Sequence, residues 1–448
     1  MIVKLKSQLF FLTKKIDFKL SMSSYIQLNS VLILSKITRY EFEKMRYKFN
    51  NDEDLRQRLA ERGSNIDSLL EHHKTHHDNL DKVLESFKQR HIQTKLVRRS
   101  EYETENLKSY DAIFTCGGDG TFLLAANKVH TSLIPVIGIN TDPLNSEGYL
   151  CLPSKFTKNF GIALDRLIKG EFKWLKRNRI SVTLTGNRNL LGLSTPTFHE
   201  FRFAEHVREL ERTRSTSPLN PSASLDCASS RNGIPKTEKA KAMQNGYPSK
   251  ISNGHLHDIV DDVVKDGDDV LTTYSLPDLA LNEIFIGENL SSRVSYYELS
   301  IDGLEPIKQK SSGLTVCTGT GSSSWSFNIN KIPVHSVAEL MKIANEMTGS
   351  HVDCQDEALM SRISDAFNSK LIFPPDEIKM AYTIRDPVIN NICGIDRPRG
   401  FASAVNVRSR CWDARIVIDG GYSYTFNDGA LAKLTLDPSN ALLTVNLT

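Results

Sequence analysis

The chain has 448 residues, 40% of them hydrophobic, and a net charge of +3 at neutral pH. That length exceeds one ordinary domain and allows two substantial cores. The near balance of charge excludes the strongly basic footprint of a nucleic-acid or acidic-membrane binder, and no apolar run reaches the ~18 residues of a membrane span.

Seven cysteines stand at 116, 151, 227, 317, 354, 393 and 411, with no CxxC pair. An odd, scattered set fits a reduced compartment better than a disulfide framework. Residues 1–27 form a basic N-terminal segment. Lys4, Lys6, Lys14, Lys15 and Lys19 face one early acid, Asp17, around Leu9-Phe10-Phe11-Leu12. An acid-poor amphipathic stretch of this kind reads either as an organellar presequence or as a plain basic tail ahead of Met22.

Val31-Leu32-Ile33-Leu34 predicts a first buried strand. Residues 39–92 favour helix, with Leu80, Val83, Leu84 and Phe87 on one face. Within that span His72, His73, His76 and His77 have i, i+4 spacing, but no neighbouring carboxylate or cysteine cluster completes a metal set. We expect an exposed polar helix face there. Thr94 to Val97, Asp111 to Thr115 and Pro135 to Ile139 predict further strands. Strands alternating with helices imply a parallel, Rossmann-like sheet, assigned to an α/β domain over 28–170.

Beyond residue 170 the period changes. Arg179 to Leu184, Ser295 to Ile301, Val405 to Arg408 and Ala414 to Ile418 alternate polar with apolar. These predict antiparallel strands with one wet face, in a β-rich, mainly antiparallel C-terminal domain over 171–435. Residues 196–275 are rich in Ser, Pro, Asn, Lys and Asp. They are expected to form a mostly disordered insertion, with local helix at 199–212, because so few apolar residues cannot offset the ordering entropy. Residues 335–370 predict helix, with Val337, Leu340, Met341 and Ile343 on an apolar face. Residues 436–448 are expected to return to the N-terminal domain.

Chemistry concentrates in three places. The first is Gly117-Gly118-Asp119-Gly120-Thr121, between a strand and a helix. The C-terminal end of a parallel strand opens onto the ligand crevice. Glycines there let the backbone approach phosphate oxygens, and the next helix's N-terminus attracts anions. Thr121 is placed to cap that helix. A carboxylate beside bound phosphates repels them unless it holds Mg²⁺ or accepts a proton from an attacking hydroxyl. Asp119 therefore points to phosphoryl transfer, against the plainer alternative of a turn whose Asp bonds local amides. The second is Asn282-Glu283, at the head of an apolar run, which suits a ribose. The third is Thr318 to Trp325, where small hydroxyl residues and glycines precede an indole. That suits a nucleotide, although Ser324 stands where a dinucleotide fingerprint needs its third glycine.

In this order, followed by Ile416-Val417-Ile418-Asp419-Gly420, the elements resemble those of the NAD kinase family. Thr38-Arg39-Tyr40-Glu41-Phe42-Glu43, Asn140-Thr141-Asp142-Pro143 and Arg408-Ser409-Arg410-Cys411-Trp412-Asp413 resemble its mitochondrial branch. The resemblance covers roughly 30–195 and 276–435. It implies ATP-dependent phosphorylation of the adenosine-ribose 2′-hydroxyl of NAD⁺, with Mg²⁺ or another divalent cation accompanying ATP. It also implies a homodimer and a mitochondrial matrix location, with the cytoplasm as the alternative.

Carried over by position, Asp119 matches the catalytic carboxylate. Gly117, Gly118, Gly120 and Thr121 would line phosphates, and Asn282 and Glu283 would grip the adenosine part of NAD. Thr318, Thr320, Ser322, Ser323, Trp325, Tyr149 and Asp419 match nucleotide-pocket positions. Gly319, Ser324 and Trp325 depart from the Pro, Ala and Tyr common in the family, and Ser312 replaces an Asp; the mitochondrial branch shares these changes. Lipid kinases also use a GGDGT turn, but there an Asn-Glu-Val follows within a few residues, whereas here Phe122-Leu123-Leu124 does. A non-catalytic NAD-binding regulator is the other alternative, and the retained Asp119 argues against it.

Overall fold

The computed structural model describes residues 26–47, 51–130, 133–187, 263–266, 269–290, 292–389 and 397–447. The basic N-terminal stretch before residue 26 and the insertion up to residue 262, with its expected helix at 199–212, lie outside the described residues.

The first unit is a four-stranded parallel sheet of β1 (Ser30–Ser35), β2 (Gln93–Val97), β3 (Ala112–Cys116) and β4 (Val136–Ile139), in the order β2-β1-β3-β4. Val31 to Leu34 and Ala112 to Phe114 are fully buried. Continuous apolar runs are what a sheet covered on both faces requires. Asn65 caps the helix Ile66–Gln89 by accepting from the Asp67 N–H. The helix lays Leu80, Val83 and Phe87 onto the sheet, where Phe87 meets the Phe114 and Phe160 rings at 4.9 and 5.4 Å.

One expectation fails on this helix. His76 is fully buried, with Nδ1 2.8 Å from Thr141 Oγ1 and Nε2 3.1 Å from Ser35 Oγ. Burial pushes its pKa down to about 3, so the imidazole is neutral. The reason lies in the spacing: His76, Leu80, Val83 and Phe87 continue one stripe, so the buried face extends a turn onto a histidine. A carboxylate also joins the cluster from another helix. Glu41 (helix Arg39–Tyr47) brings a donor atom within 4.8 Å of those of His73 and His77. Both its oxygens already have donors, Thr38 N and Oγ1 on Oε2 and Arg98 Nη2 on Oε1, at 2.8–3.0 Å. The trio is therefore part of an ion-pair network.

The β-rich part contains β5 (Lys173–Arg177), β6 (Ile180–Asn187), β7 (Val263–Asp266), β8 (Asp269–Ser275), β9 (Glu283–Glu288), β10 (Ser295–Ile301), β11 (Ile307–Ser311) and β12 (Gly313–Cys317). It continues with β13 (Met380–Arg385), β14 (Arg399–Ala402), β15 (Ala404–Ser409), β16 (Ala414–Ile418), β17 (Tyr422–Thr425), β18 (Leu431–Leu436) and β19 (Leu442–Asn446). Two antiparallel sheets form, β11-β10-β15-β18-β6-β8-β7 and β14-β13-β12-β9-β16-β17. Val182, Leu299, Val407 and Leu434 of the first share one core with Ile284, Val316, Ile384 and Ile416 of the second. The sheets thus pack face to face. Alternating burial along β13 and β16 is the one-wet-face pattern expected of such strands.

The insertion assigned to 196–275 ends earlier. Residues 263–266 and 269–275 form β7 and β8, and β8 pairs with β6 from Thr183↔Ser275 to Asn187↔Leu271. Val270 to Tyr274 is β-favouring, a signal diluted by the surrounding aspartates. The span 335–370 holds two helices, Val334–Thr348 and Glu357–Asn368, the first ending at Gly349 with φ 67°. Only Val337 of its expected apolar face is buried, while Leu340, Ile343 and Met347 are exposed. Finally β19 pairs antiparallel with β5, and Val445 and Leu447 enter the core around β1 and β3.

Candidate active site between the two sheets systems

The glycine turn follows the wholly buried β3. Gly117 donates to Ile139 O at 3.0 Å, and the helix Asp119–Lys128 begins two residues later with Gly118 as its cap. Thr121 therefore does not cap this helix. It lies inside the first turn, packed on Gly117, where an added Cβ would sit 2.3 Å from Thr121 Oγ1 and 3.1 Å from Lys36 Cβ. Gly117 is needed for close packing. Gly118 and Gly120 face open space, with no neighbour nearer than Ser146 Oγ at 3.8 Å from a Cβ on Gly118. Their exposed backbone is the side a phosphate can approach.

Asp119 stands in the first turn of that helix, where a carboxylate is favoured by the dipole. Its Oδ2 accepts from Tyr149 N at 3.1 Å and its Oδ1 from Leu150 N at 2.8 Å. The segment is bent to this shape by Gly148 at φ 67°, where a side chain would strike Asn140. Each Asp119 oxygen keeps lone-pair capacity for a further partner. Tyr149 contributes its backbone N–H, and the residue is 64% exposed.

In the β-rich part, Asn282 and Glu283 lead into β9. Leu281 beside them packs with Phe122 in the N-terminal core, which fixes the pair against the α/β unit. Asp419 grips their backbone: its carboxylate accepts from Leu281 N, Asn282 N and Glu283 N at 2.7, 2.8 and 3.0 Å. Asp419 and Gly420 take φ of 47° and 65°, a left-handed turn suited to this pair of residues. Asp419 thus points at the backbone of the pair. Burial, opposed by those three N–H groups, raises its carboxyl to about 6. Asn282 Oδ1 and Glu283 Oε2 are buried with no hydrogen-bond partner. Such orphaned atoms are costly unless a ligand completes them. Burial, and secondarily Asp419, raises Glu283 to about 8, so at neutral pH it is a carboxylic acid able to donate.

The Thr318–Trp325 loop closes on the same pair. Thr318 N donates to Asn282 O at 2.9 Å, and Thr318 Oγ1 to Leu281 O at 2.5 Å. Ser322 Oγ donates to Gly319 O at 2.6 Å, and Ser323 Oγ to Thr320 O at 3.3 Å. Gly321 lies so close that a Cβ would fall 2.1 Å from Asn282 O. Trp325 opens the helix Trp325–Asn330, edge-on to Phe285 at 5.8 Å and beneath the Arg385 guanidinium at 5.4 Å.

Two cations absent from the motif-based expectations complete the surroundings. Lys36, after β1, lies beside Gly117, and burial lowers its pKa from the usual lysine value. Arg177, at the end of β5, donates Nη1 to Thr320 Oγ1 at 3.3 Å, while its Nε is buried without a partner. Burial lowers it to about 10, with the Asp119 charge opposing that shift. Arg179, two residues on, is spent on structure: Nε donates to Asn440 O and Nη1 to Val129 O, both at 2.6 Å. Nothing in Lys173-Trp174-Leu175-Lys176-Arg177 marks Arg177 out by pattern, since a charged strand edge reads the same way.

A family model described as the ATP-NAD kinase N-terminal domain matches residues 31–172. NAD kinase 2, mitochondrial, from Homo sapiens is 40% identical over 419 residues, covering 93% of this chain and 84% of that protein. The Xenopus tropicalis protein of the same name is 38% identical over 435 residues, covering 93% and 90%. A solved NAD kinase from Archaeoglobus fulgidus in complex with ATP aligns over 94% of this chain and 93% of its own, at 14% identity and a TM-score of 0.45. On the extent and identity of the sequence matches, this chain belongs to the NAD kinase family.

Proposed function

We propose that this chain transfers the γ-phosphoryl group of ATP to the adenosine-ribose 2′-hydroxyl of NAD⁺, giving NADP⁺. The observation that carries the reading is the placement of Asp119 at the open lip of the glycine turn, with lone pairs to spare. In this reading the glycine turn takes the donor's phosphates and Asp119 accepts the hydroxyl proton as the new bond forms. Asn282 Oδ1 and the protonated Glu283 take the ribose hydroxyls, which answers both orphaned atoms. Thr318 and Ser322 hold the loop, Thr320 and Ser323 border the nucleotide, and Trp325 supplies an apolar wall.

A divalent cation fits as a companion of ATP. Asp119 is a lone carboxylate at the turn, and Mg²⁺ typically takes one or two carboxylates plus substrate phosphates and water. Bound there, it would neutralise charge on the donor's β- and γ-oxygens. The relatives named as mitochondrial support a matrix location, tested by imaging a tagged full chain. A homodimer is supported by the family resemblance and by the exposed stripe of Leu340, Ile343 and Met347, and light scattering after gel filtration tests it. For the activity, purified protein is incubated with Mg-ATP and, separately, NAD⁺, NADH, diacylglycerol and fructose 6-phosphate. NADP⁺ formation is expected, and phosphorylation of diacylglycerol instead would overturn the assignment.

A further inference from the structure

Among the described residues Arg177 has no carboxylate in ion-pair contact, although its side chain is half-buried and its Nε is shut off from water. Its one hydrogen bond goes to a neutral hydroxyl, and its Nε has none. A buried, unpaired cation carries a large desolvation penalty and persists where an anion completes it. The surroundings say which anion. Arg177 bonds Thr320 of the loop, and the Asp119 carboxylate of the turn is near enough to oppose the loss of its charge. Cys151 Sγ lies 3.9 Å from Gly117 O, so this is the wall of the glycine turn itself. A planar fork of donors, with Nε unpartnered, matches phosphate oxygens.

Resting on the phosphotransfer reading above, we propose that Arg177 is a catalytic residue that clamps the transferring phosphoryl group of the nucleoside triphosphate. The ribose oxygen bonds to the γ-phosphorus as the bond from that phosphorus to the β,γ-bridging oxygen breaks. The hydroxyl proton passes to the Asp119 carboxylate, and the nucleoside diphosphate leaves with the bridging oxygen and the electron pair. Arg177 donates from Nε and its free terminal nitrogen to the equatorial oxygens on which charge accumulates. Its Thr320 bond ties the clamp to the loop that borders the acceptor, so both substrates orient the same side chain.

The test compares wild type with Arg177→Met, Arg177→Lys and Arg177→Ala in a coupled NADP⁺ assay, with melting curves alongside. Arg177→Met is expected to lower kcat by about 10²–10³-fold, the scale of removing one charge-stabilising donor. The KM for ATP should rise while the KM for NAD⁺ stays within a few-fold. Arg177→Lys recovers part of the loss, because charge remains and the fork does not. Millimolar guanidinium should restore turnover to Arg177→Ala, a rescue that a merely structural tether would not give. A kcat within threefold of wild type in a folded Arg177→Met, or a loss confined to the KM for NAD⁺, would overturn the clamp. If the Met variant unfolds, Arg177→Lys with a native melting curve decides by the same criteria. Calorimetric titration with ATP stands independently of turnover. Equal affinities of wild type and Arg177→Lys or Arg177→Met would refute the clamp, whereas wild type that binds ATP through Arg177 yet makes no NADP⁺ would refute the acceptor assignment instead.

Discussion

Asp419→Asn isolates the device that holds the Asn282–Glu283 pair in place. The Asp carboxylate serves three backbone N–H groups at 2.7, 2.8 and 3.0 Å, one on Oδ2 and two on Oδ1. Asparagine tolerates the same left-handed backbone and keeps one carbonyl oxygen for Asn282 and Glu283. Its amide would then face the Leu281 N–H, donor against donor. Losing that charge-assisted bond costs about 1.5–3 kcal/mol, and the other two fall to neutral strength at about 1 kcal/mol each. A net loss of about 3 kcal/mol corresponds to a midpoint lower by roughly 6–12 °C for a domain of this size. The assay is a thermal melt at pH 7.5 with NAD⁺ kinetics at 25 °C. The KM for NAD⁺ should rise at least tenfold, because the pair loses its fixed backbone. A midpoint within 1 °C of wild type and an unchanged KM would show that the three bonds do not position the pair.

Asp119→Asn should abolish NADP⁺ formation, by about 10²–10⁴-fold for loss of one acid–base group. It should also lower the melting midpoint slightly, since Tyr149 N and Leu150 N lose a charged acceptor; near-normal turnover in a folded variant would remove Asp119 from the chemistry. Glu283 is raised from the usual 4.5 to about 8, so its stabilising contribution is complete below pH 4.5 and is lost as pH rises through 8. Glu283→Gln, a mimic of the protonated form, should flatten the wild-type fall in melting midpoint across that window, and parallel pH profiles would contradict it. Gly321→Ala places a Cβ 2.1 Å from Asn282 O and 2.5 Å from Asn282 C, both backbone atoms. The loop must move off the pair, costing about 1–3 kcal/mol by overpacking and raising the KM for NAD⁺, whereas unaltered kinetics would show that the loop position is immaterial.

The strands of both units were legible because burial writes itself into period: continuous at Val31 to Leu34, alternating at Ala414 to Ile418. The glycine turn was legible because glycine and aspartate at a strand end have few other uses. What stayed hidden depends on partners far away in sequence. His76 looked polar because its acceptors, Ser35 and Thr141, belong to other elements. Asp419 looked like a pocket residue, and its backbone targets lie 136–138 positions upstream. Arg177 looked like one more charge in a basic strand. That it has no ion-pair carboxylate among the described residues is a property of the assembled fold, which no local pattern records.

The pairing of β5 with β19 has a kinetic corollary. Leu442, Val445 and Leu447 complete the core around β1, β3 and β4, and the whole β-rich domain separates them along the chain. Domains usually fold as they leave the ribosome, N-terminal first. This one must wait with an open hydrophobic edge until the β-rich domain has been synthesised. Contacts of such long range carry a high loop-closure cost and slow folding. Chaperone dependence during that interval, and trapping of chains cut before residue 442 as aggregates, follow from where one short strand was placed.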